Sequence, residues 1–276
     1  MAQDHIIRTG LGSHIPSRAH RWICLSLIGA VCLAGPANLA GALTIGTWSM
    51  NESPGTVQMF DSVVPGHHSQ IFSGVVADGS KYTFAGWTGN VDATGRLSGV
   101  LANPSLGEIR VPDAAGILSP GGGSFSVGLS LRPTLLNGSL PLPGDGSLAW
   151  PTYNILQRGR ATDAGGFYKL ELVGVGSKLG RVHCGMKAPG YSSLDVYSAP
   201  IIDGNPHTIE CTLDRLTRVL KITTDGYVSG TKSFKTYGVI APRDTYGTYL
   251  TVGKKPGSSD PGDAFAGDID YVTISI

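Results

Sequence analysis

Charged residues are scarce in this chain, at 15% of 276 residues against about 25% in a typical soluble domain. The 21 lysines and arginines nearly balance the 20 aspartates and glutamates, so the formal net charge is +1. A chain so balanced lacks the basic surface that nucleic acid or anionic lipid requires, and neither is a predicted partner. Phosphate-binding glycine motifs and a Gly-x-Ser-x-Gly nucleophile turn are also absent.

Glycine and proline are abundant by contrast, since 40 Gly and 17 Pro make up about a fifth of the chain. Together with 41% hydrophobic residues, they favour many short strands and turns over long helices. Apolar and polar residues alternate with period two in several segments, and turn dipeptides such as Asp225-Gly226 end them. The predicted strands include 125–132, 168–172, 207–213, 218–224, 249–253 and 270–276. We therefore predict an all-β fold, a single antiparallel sandwich.

The first 42 residues have the layout of a secretory signal. Arg18 and Arg21 precede an apolar run at 22–35, which is shorter than the ~20 residues needed to span a bilayer. Ala40-Gly41-Ala42 then supplies the small residues of a cleavage site. We expect a helical signal segment at 1–42, cleavage after Ala42, and a secreted domain of residues 43–276 with no membrane span. The alternative is an uncleaved leader that anchors the protein in the membrane.

Cysteine usage agrees with export. Cleavage would remove Cys24 and Cys32 and leave Cys184 and Cys211. Two cysteines in an exported chain predict one disulfide, closing a loop of 27 residues. Two buried free thiols are the alternative.

An ordered series of motifs follows the predicted strands. It comprises Trp48-x-x-x-Glu52 with Asp61, Phe125-Ser-Val-Gly-Leu, Asn154-Ile-Leu-Gln-Arg, Arg181-Val-His-Cys184, Gly204-Asn-Pro-His207 and Asp268-Ile-Asp-Tyr-Val. This series resembles the laminin-G-like (LamG) domains of the concanavalin A-like lectin/glucanase superfamily, over roughly residues 43–276. The resemblance implies a two-sheet antiparallel jelly roll in which Cys184 and Cys211 pair across neighbouring strands. Pro206 departs from the pattern, because the family usually has an aromatic residue there.

Catalysis is not predicted. Catalytic members of the superfamily carry Glu-x-Asp-x-Glu on one strand, and glycosidases need paired carboxylates. No such motif includes any of the four glutamates, Glu52, Glu108, Glu171 and Glu210. Asp268 and Asp270 share a strand, but we interpret Asp268 as a turn cap and Asp270 as a hydrogen-bond acceptor at the strand start.

Metal binding is predicted only by the resemblance, which implies one structural calcium ion at the rim of the sandwich. Calcium prefers carboxylate and carbonyl oxygens. The implied ligands are Glu52, Asp61, Asp268 and Asp270. The exposed-looking pair His67-His68 offers too few ligands for zinc, and His183 and His207 are interpreted as ordinary strand residues.

Sugar binding would need an aromatic platform beside polar groups. The aromatic candidates in or near loops are Trp87, Trp150, Tyr153, Tyr191 and Tyr197, whereas Trp48 lies on an early strand and is expected in the core. We predict a secreted non-catalytic module that binds an extracellular glycan or surface protein, chiefly through Trp87 and Trp150. The alternative is a structural or assembly component of the cell envelope with no small ligand, and a glycoside hydrolase or lyase comes third.

Overall fold

The computed structural model describes residues 42–63, 67–71, 74–84, 107–135, 152–243, 245–258 and 263–276. The predicted signal segment lies outside these residues, apart from Ala42. The described chain forms two short 3₁₀ turns, Gly176–Lys178 and Thr245–Gly247, and fifteen strands. The strands are β1 (Thr44–Trp48), β2 (Gln70–Ile71), β3 (Val75–Ala77), β4 (Tyr82–Phe84), β5 (Ile109–Pro112), β6 (Phe125–Pro133), β7 (Thr152–Arg158), β8 (Phe167–Val173), β9 (Arg181–Lys187), β10 (Leu194–Pro200), β11 (His207–Asp214), β12 (Val219–Thr224), β13 (Tyr227–Ser233), β14 (Tyr249–Val252) and β15 (Gly267–Ser275).

The strands form two antiparallel sheets. One sheet has the order β13-β12-β11-β6-β15-β4-β3, with β1 also paired to β15, and the other has the order β10-β9-β8-β7-β14-β5-β2. These sheets confirm the predicted all-β, two-sheet antiparallel sandwich, and all six predicted strands are present. No helix in the described part of the chain is long and apolar enough to cross a membrane.

Alternating side chains of each strand fill the core between the sheets. On β6, Phe125, Val127, Leu129 and Leu131 are each at most 2% exposed, as the period-two pattern predicts. Burial of each such side chain contributes about 1.5–3 kcal/mol. Trp48 is fully buried too, and its indole Nε1–H donates a hydrogen bond to the His67 carbonyl at 3.0 Å, which confirms its predicted place in the core.

The turn between β12 and β13 shows why its residues are Asp225-Gly226. Both residues have positive φ, +52° and +81°. A two-residue hairpin turn of this type needs positive φ at both positions, and glycine adopts it without steric strain. The sequence prediction of a turn here is confirmed.

Cys184 and Cys211 form the predicted disulfide, but not across neighbouring strands. Cys184 lies on β9 in one sheet and Cys211 on β11 in the other, with Cα atoms 6.4 Å apart. Both cysteines are fully buried. The expectation of a pairing between adjacent strands is therefore wrong, because the bond crosses the core and joins the two sheets.

Candidate functional site

A groove lies on the outer face of the seven-stranded sheet. Two hollows of about 410 and 460 Å³ share Thr152, Lys169 and Glu171, so they adjoin each other and together make up the groove. The first extends over His183 and Tyr197 to the 3₁₀ turn at Gly176–Lys178, and the second extends towards Phe167, Arg160 and Lys255. Their size is in the range of small-molecule sites, about 300–1,000 Å³.

Strand alternation explains why polar side chains line this groove. On β8 and β9 the inward residues are Leu170, Leu172 and Cys184, which are buried in the core. The intervening residues Lys169, Glu171 and His183 must therefore point outward.

Antiparallel register then brings four of the outward residues into one row across the sheet. Glu171 lies opposite Asn154 on β7 and opposite His183 on β9, and His183 lies opposite Tyr197 on β10. The row runs from a buried amide, through a carboxylate and an imidazole, to an aromatic ring.

Glu171 is the centre of a hydrogen-bond network. Its Oε1 accepts a hydrogen bond from Asn154 Nδ2 at 3.1 Å, and its Oε2 lies 2.6 Å from Lys169 Nζ and 3.2 Å from His183 Nδ1. His183 Nε2 reaches Asp195 Oδ1 at 2.8 Å. The imidazole is thus held between two carboxylates, and Asn154 and Lys169 fix the orientation of the Glu171 carboxylate.

Electrostatics favour the charged forms of Glu171 and His183. Burial alone would raise the pKa of Glu171, but the hydrogen bond from His183 and the charge of Lys169 outweigh it and hold this pKa below its ordinary value. Burial alone would lower the pKa of His183, but the hydrogen bonds to Asp195 and Glu171 raise it above its ordinary value.

We expect His183 to stabilise the fold in a pH-dependent way. A group whose pKa is raised by folding contributes its full stabilisation below its unfolded pKa, about 6.5, and loses it as the pH rises through the folded value. His183→Gln should therefore lower the free energy of unfolding at pH 6, and the deficit should shrink by pH 9. Urea unfolding at both pH values measures this, and an equal deficit at both would contradict it.

Tyr197 is the aromatic side chain that lines the first hollow. The His183 ring stacks on it with ring centroids 4.9 Å apart and an interplanar angle of 20°. The ammonium of Lys178, an exposed residue, also lies over the ring, 5.1 Å from its centroid. Such a cation–π contact at an exposed site contributes only about 0.5–1 kcal/mol, so a ligand can displace the lysine.

The aromatic residues singled out from the sequence have different places. Trp87 and Trp150 lie outside the described residues. Tyr153 is on β7 and only 2% exposed, so it belongs to the core and the expectation that it contacts a ligand is wrong. Tyr191 is 40% exposed in the loop between β9 and β10, where its ring packs 5.4 Å from that of Tyr237, outside the groove lining.

Two of the proposed calcium ligands accept hydrogen bonds that hold neighbouring loops in place. Glu52 accepts hydrogen bonds from the Phe60 N–H at 2.8 Å and the Tyr82 hydroxyl at 2.7 Å. Asp61 Oδ1 accepts from the N–H groups of Thr47 and Val63.

His67 lies beside Asp61, and the expectation that it is exposed is wrong. It is 8% exposed, so the predicted exposed pair His67-His68 is wrong for this residue. Its Nδ1 lies 3.5 Å from Asp61 Oδ2.

Asp268 lies on β15 and does not cap a turn, so that interpretation is wrong. Thr83 Oγ1 donates to it at 2.7 Å, Lys81 Nζ is 3.1 Å away, and Arg132 pairs with it as well. Asp270 is exposed on the same strand. No group of three or more His, Cys, Asp or Glu side chains in the described ranges could hold a metal ion. A calcium ion held by Glu52, Asp61, Asp268 and Asp270 stays a prediction.

Sequence reasoning missed most of the groove. Alternation does place Lys169 with Glu171 and Asp195 with Tyr197 on polar strand faces. That signal could have identified each pair, but only the strand order joins them to His183.

No protein-family model matches the chain, and no curated protein matches its sequence. Domain 4 of AbnA, a GH43 extracellular arabinanase from Geobacillus stearothermophilus solved with arabinotriose, is similar in structure. It has 14% identity and a TM-score of 0.51, with 85% of this chain and 92% of that chain covered.

Two further solved structures are similar. A mutant of HCR D/C VPI 5995 has 13% identity and a TM-score of 0.51, with coverage of 84% of this chain and 48% of that chain. Domains LG4-5 of the mouse laminin α1 chain have 14% identity and a TM-score of 0.39, with coverage of 60% and 41%. The chain spans less than half the length of these two proteins. Likeness at such identities shows the fold alone, and the two-sheet antiparallel sandwich is consistent with the LamG-like jelly roll that the motifs predict.

Proposed function

We propose that this protein is a non-catalytic glycan-binding module and that the groove on its seven-stranded sheet is the binding site. The observation that carries the proposal is the row of fixed polar groups beside Tyr197. Sugar recognition needs a flat apolar ring next to oriented hydrogen-bond donors and acceptors. Tyr197 supplies the ring, and Lys169, Glu171 and His183 supply the polar groups.

A solved structure of similar fold supports the same class of ligand. Domain 4 of AbnA was solved in complex with arabinotriose, and 92% of it is covered by this chain. Its fold can therefore hold an oligosaccharide.

Binding without hydrolysis is supported by the carboxylates of the groove. A glycosidase needs two carboxyl groups on either side of the scissile bond. Among the described residues, Glu171 is the one carboxylate that lines the groove, and it is engaged by Lys169 and His183.

We also place the module outside the cell. A disulfide persists in oxidising compartments, and Cys184–Cys211 is one. The basic and apolar leader with cleavage after Ala42 is the export route that we propose.

Tyr197→Ala should weaken glycan binding about ten- to hundredfold, because about 1.5–3 kcal/mol of apolar contact is lost with the ring. Tyr197→Phe keeps the ring and should retain most of the affinity. The measurement is a glycan-array screen that includes arabinotriose, followed by calorimetric titration of the best oligosaccharide.

Tyr227→Ala is the matched control, since Tyr227 is 81% exposed on β13 in the other sheet. It should leave the affinity unchanged. Absence of binding to every array glycan, or equal loss in the Tyr197 and Tyr227 variants, would refute the proposed site.

A further inference from the structure

The groove concentrates positive charge. Among the described residues, four lysine and arginine side chains line its two hollows, Arg160, Lys169, Lys178 and Lys255, against the one carboxylate of Glu171. The whole chain has a net charge of only +1, so this excess is local to the groove. Walls of one sign raise the local concentration of ligands with the opposite charge.

Two of these cations are already neutralised. Lys169 Nζ lies 2.6 Å from Glu171 Oε2, and Lys255 Nζ lies 3.1 Å from Asp263 Oδ2.

The side chains of the other two form no ion pair with a carboxylate in the described part of the chain, and the Asp163 carboxylate accepts from the backbone N–H of Arg160 at 2.9 Å. Lys178 rests over the Tyr197 ring, and the Arg160 guanidinium lies 4.8 Å from the centroid of the Tyr246 ring. They stand in the two different hollows, so one oligosaccharide along the groove would meet both.

We propose that the ligand is an acidic oligosaccharide whose carboxylates pair with Lys178 and Arg160. This inference rests on the proposed glycan-binding function and narrows it. A sugar ring that takes the place of Lys178 over Tyr197 leaves the displaced ammonium beside it, within reach of a ring carboxylate. Arg160 adds a planar fork that binds a carboxylate through two parallel hydrogen bonds.

Matched pairs of acidic and neutral probes test the inference. Trigalacturonic acid is compared with its methyl ester, and 3′-sialyllactose with lactose, so that uronate and sialate sources are distinguished. In at least one pair the acid should bind about tenfold more tightly or better, and the difference should narrow as NaCl rises from 50 to 500 mM.

Lys178→Gln and Arg160→Gln should each weaken binding of that acid about five- to tenfold, and neither variant should weaken binding of the neutral partner. Lys232→Gln, at an exposed position on β13, is the control for general charge loss and should change neither.

The outcomes separate the two proposals. Equal affinity for acid and neutral probes, an equal effect of the Lys232 variant, or binding of neutral glycans alone would overturn the acidic ligand and leave glycan binding intact. Failure of all array glycans and all four probes would overturn both.

Discussion

Arg158→Met should lower the free energy of unfolding by about 3–5 kcal/mol, because it strands a buried carboxylate without its partner. Arg158 pairs with Asp113, and their side chains are 1% and 0% exposed. Methionine preserves most of the aliphatic volume, so the loss reports the charge and its hydrogen bonds.

The contacts of the pair explain the size of this effect. Arg158 Nε and Nη2 donate to the Gly247 carbonyl at 3.0 and 2.8 Å, which ties β7 to the second 3₁₀ turn. Asp113 accepts from the N–H groups of Ile117 and Leu118, both at 2.8 Å. Removal of the guanidinium therefore loosens two loops as well as leaving the carboxylate uncompensated.

Equilibrium unfolding in urea measures the loss, and two further variants define its cause. Arg132→Met is the matched control: the Arg132 side chain is 45% exposed in its pair with Asp268, so its loss should stay below about 1 kcal/mol. Adding Asp113→Asn to Arg158→Met removes the stranded charge, and the double variant should be more stable than the single one. A single variant as stable as the Arg132 control would contradict a structural role for the pair.

A buried ion pair such as Arg158–Asp113 is hard to predict from the sequence, whereas strands and turns follow from local sequence patterns. Alternation on β6 and the Asp225-Gly226 turn are local properties, and both predictions are confirmed. Arg158 follows the same alternation but lies in the sheet centre, where its charge needs a partner 45 residues away. Sequence spacing alone does not indicate such a partner.

In the candidate site too, the local pattern can be predicted from the sequence and the contacts between strands cannot. Lys169 and Glu171 are recognisable as a polar strand face, yet their neighbours His183 and Tyr197 come from β9 and β10 through sheet register. The sequence predicts Tyr153 in or near a loop, but β7 begins at Thr152 and the Tyr153 ring is buried in the core. Side-chain direction thus depended on a strand boundary that composition does not fix.

For the disulfide, the cysteine count predicts the two partners and the strand order determines which sheets they join. Removing it should have the second large effect on the free energy of unfolding. Replacing both residues, Cys184→Ala with Cys211→Ala, should lower the free energy of unfolding by about 3–4 kcal/mol. In the chain-entropy model, closing a loop of 27 residues restricts the unfolded chain by this amount.

Urea unfolding distinguishes that cause from simple loss of core volume. Without the cross-link the unfolded chain expands, so the double alanine variant should show a larger dependence of stability on urea concentration. Val196→Ala is the control, since Val196 lies opposite Cys184 and is 4% exposed. It should lower stability through lost packing with an unchanged urea dependence. An unchanged dependence in the alanine pair as well would refute the unfolded-state explanation.

The same bond also bears on the proposed binding site. His183 in the groove is the direct neighbour of Cys184, so β9 carries a ligand-facing residue and an anchor to the opposite sheet at successive positions. Because the cross-link acts mainly on the unfolded chain, the alanine pair should bind its glycan with nearly normal affinity wherever it remains folded. Calorimetric titration well below the midpoint of thermal unfolding measures this. A large loss of affinity in the folded variant would instead show that the disulfide positions the groove.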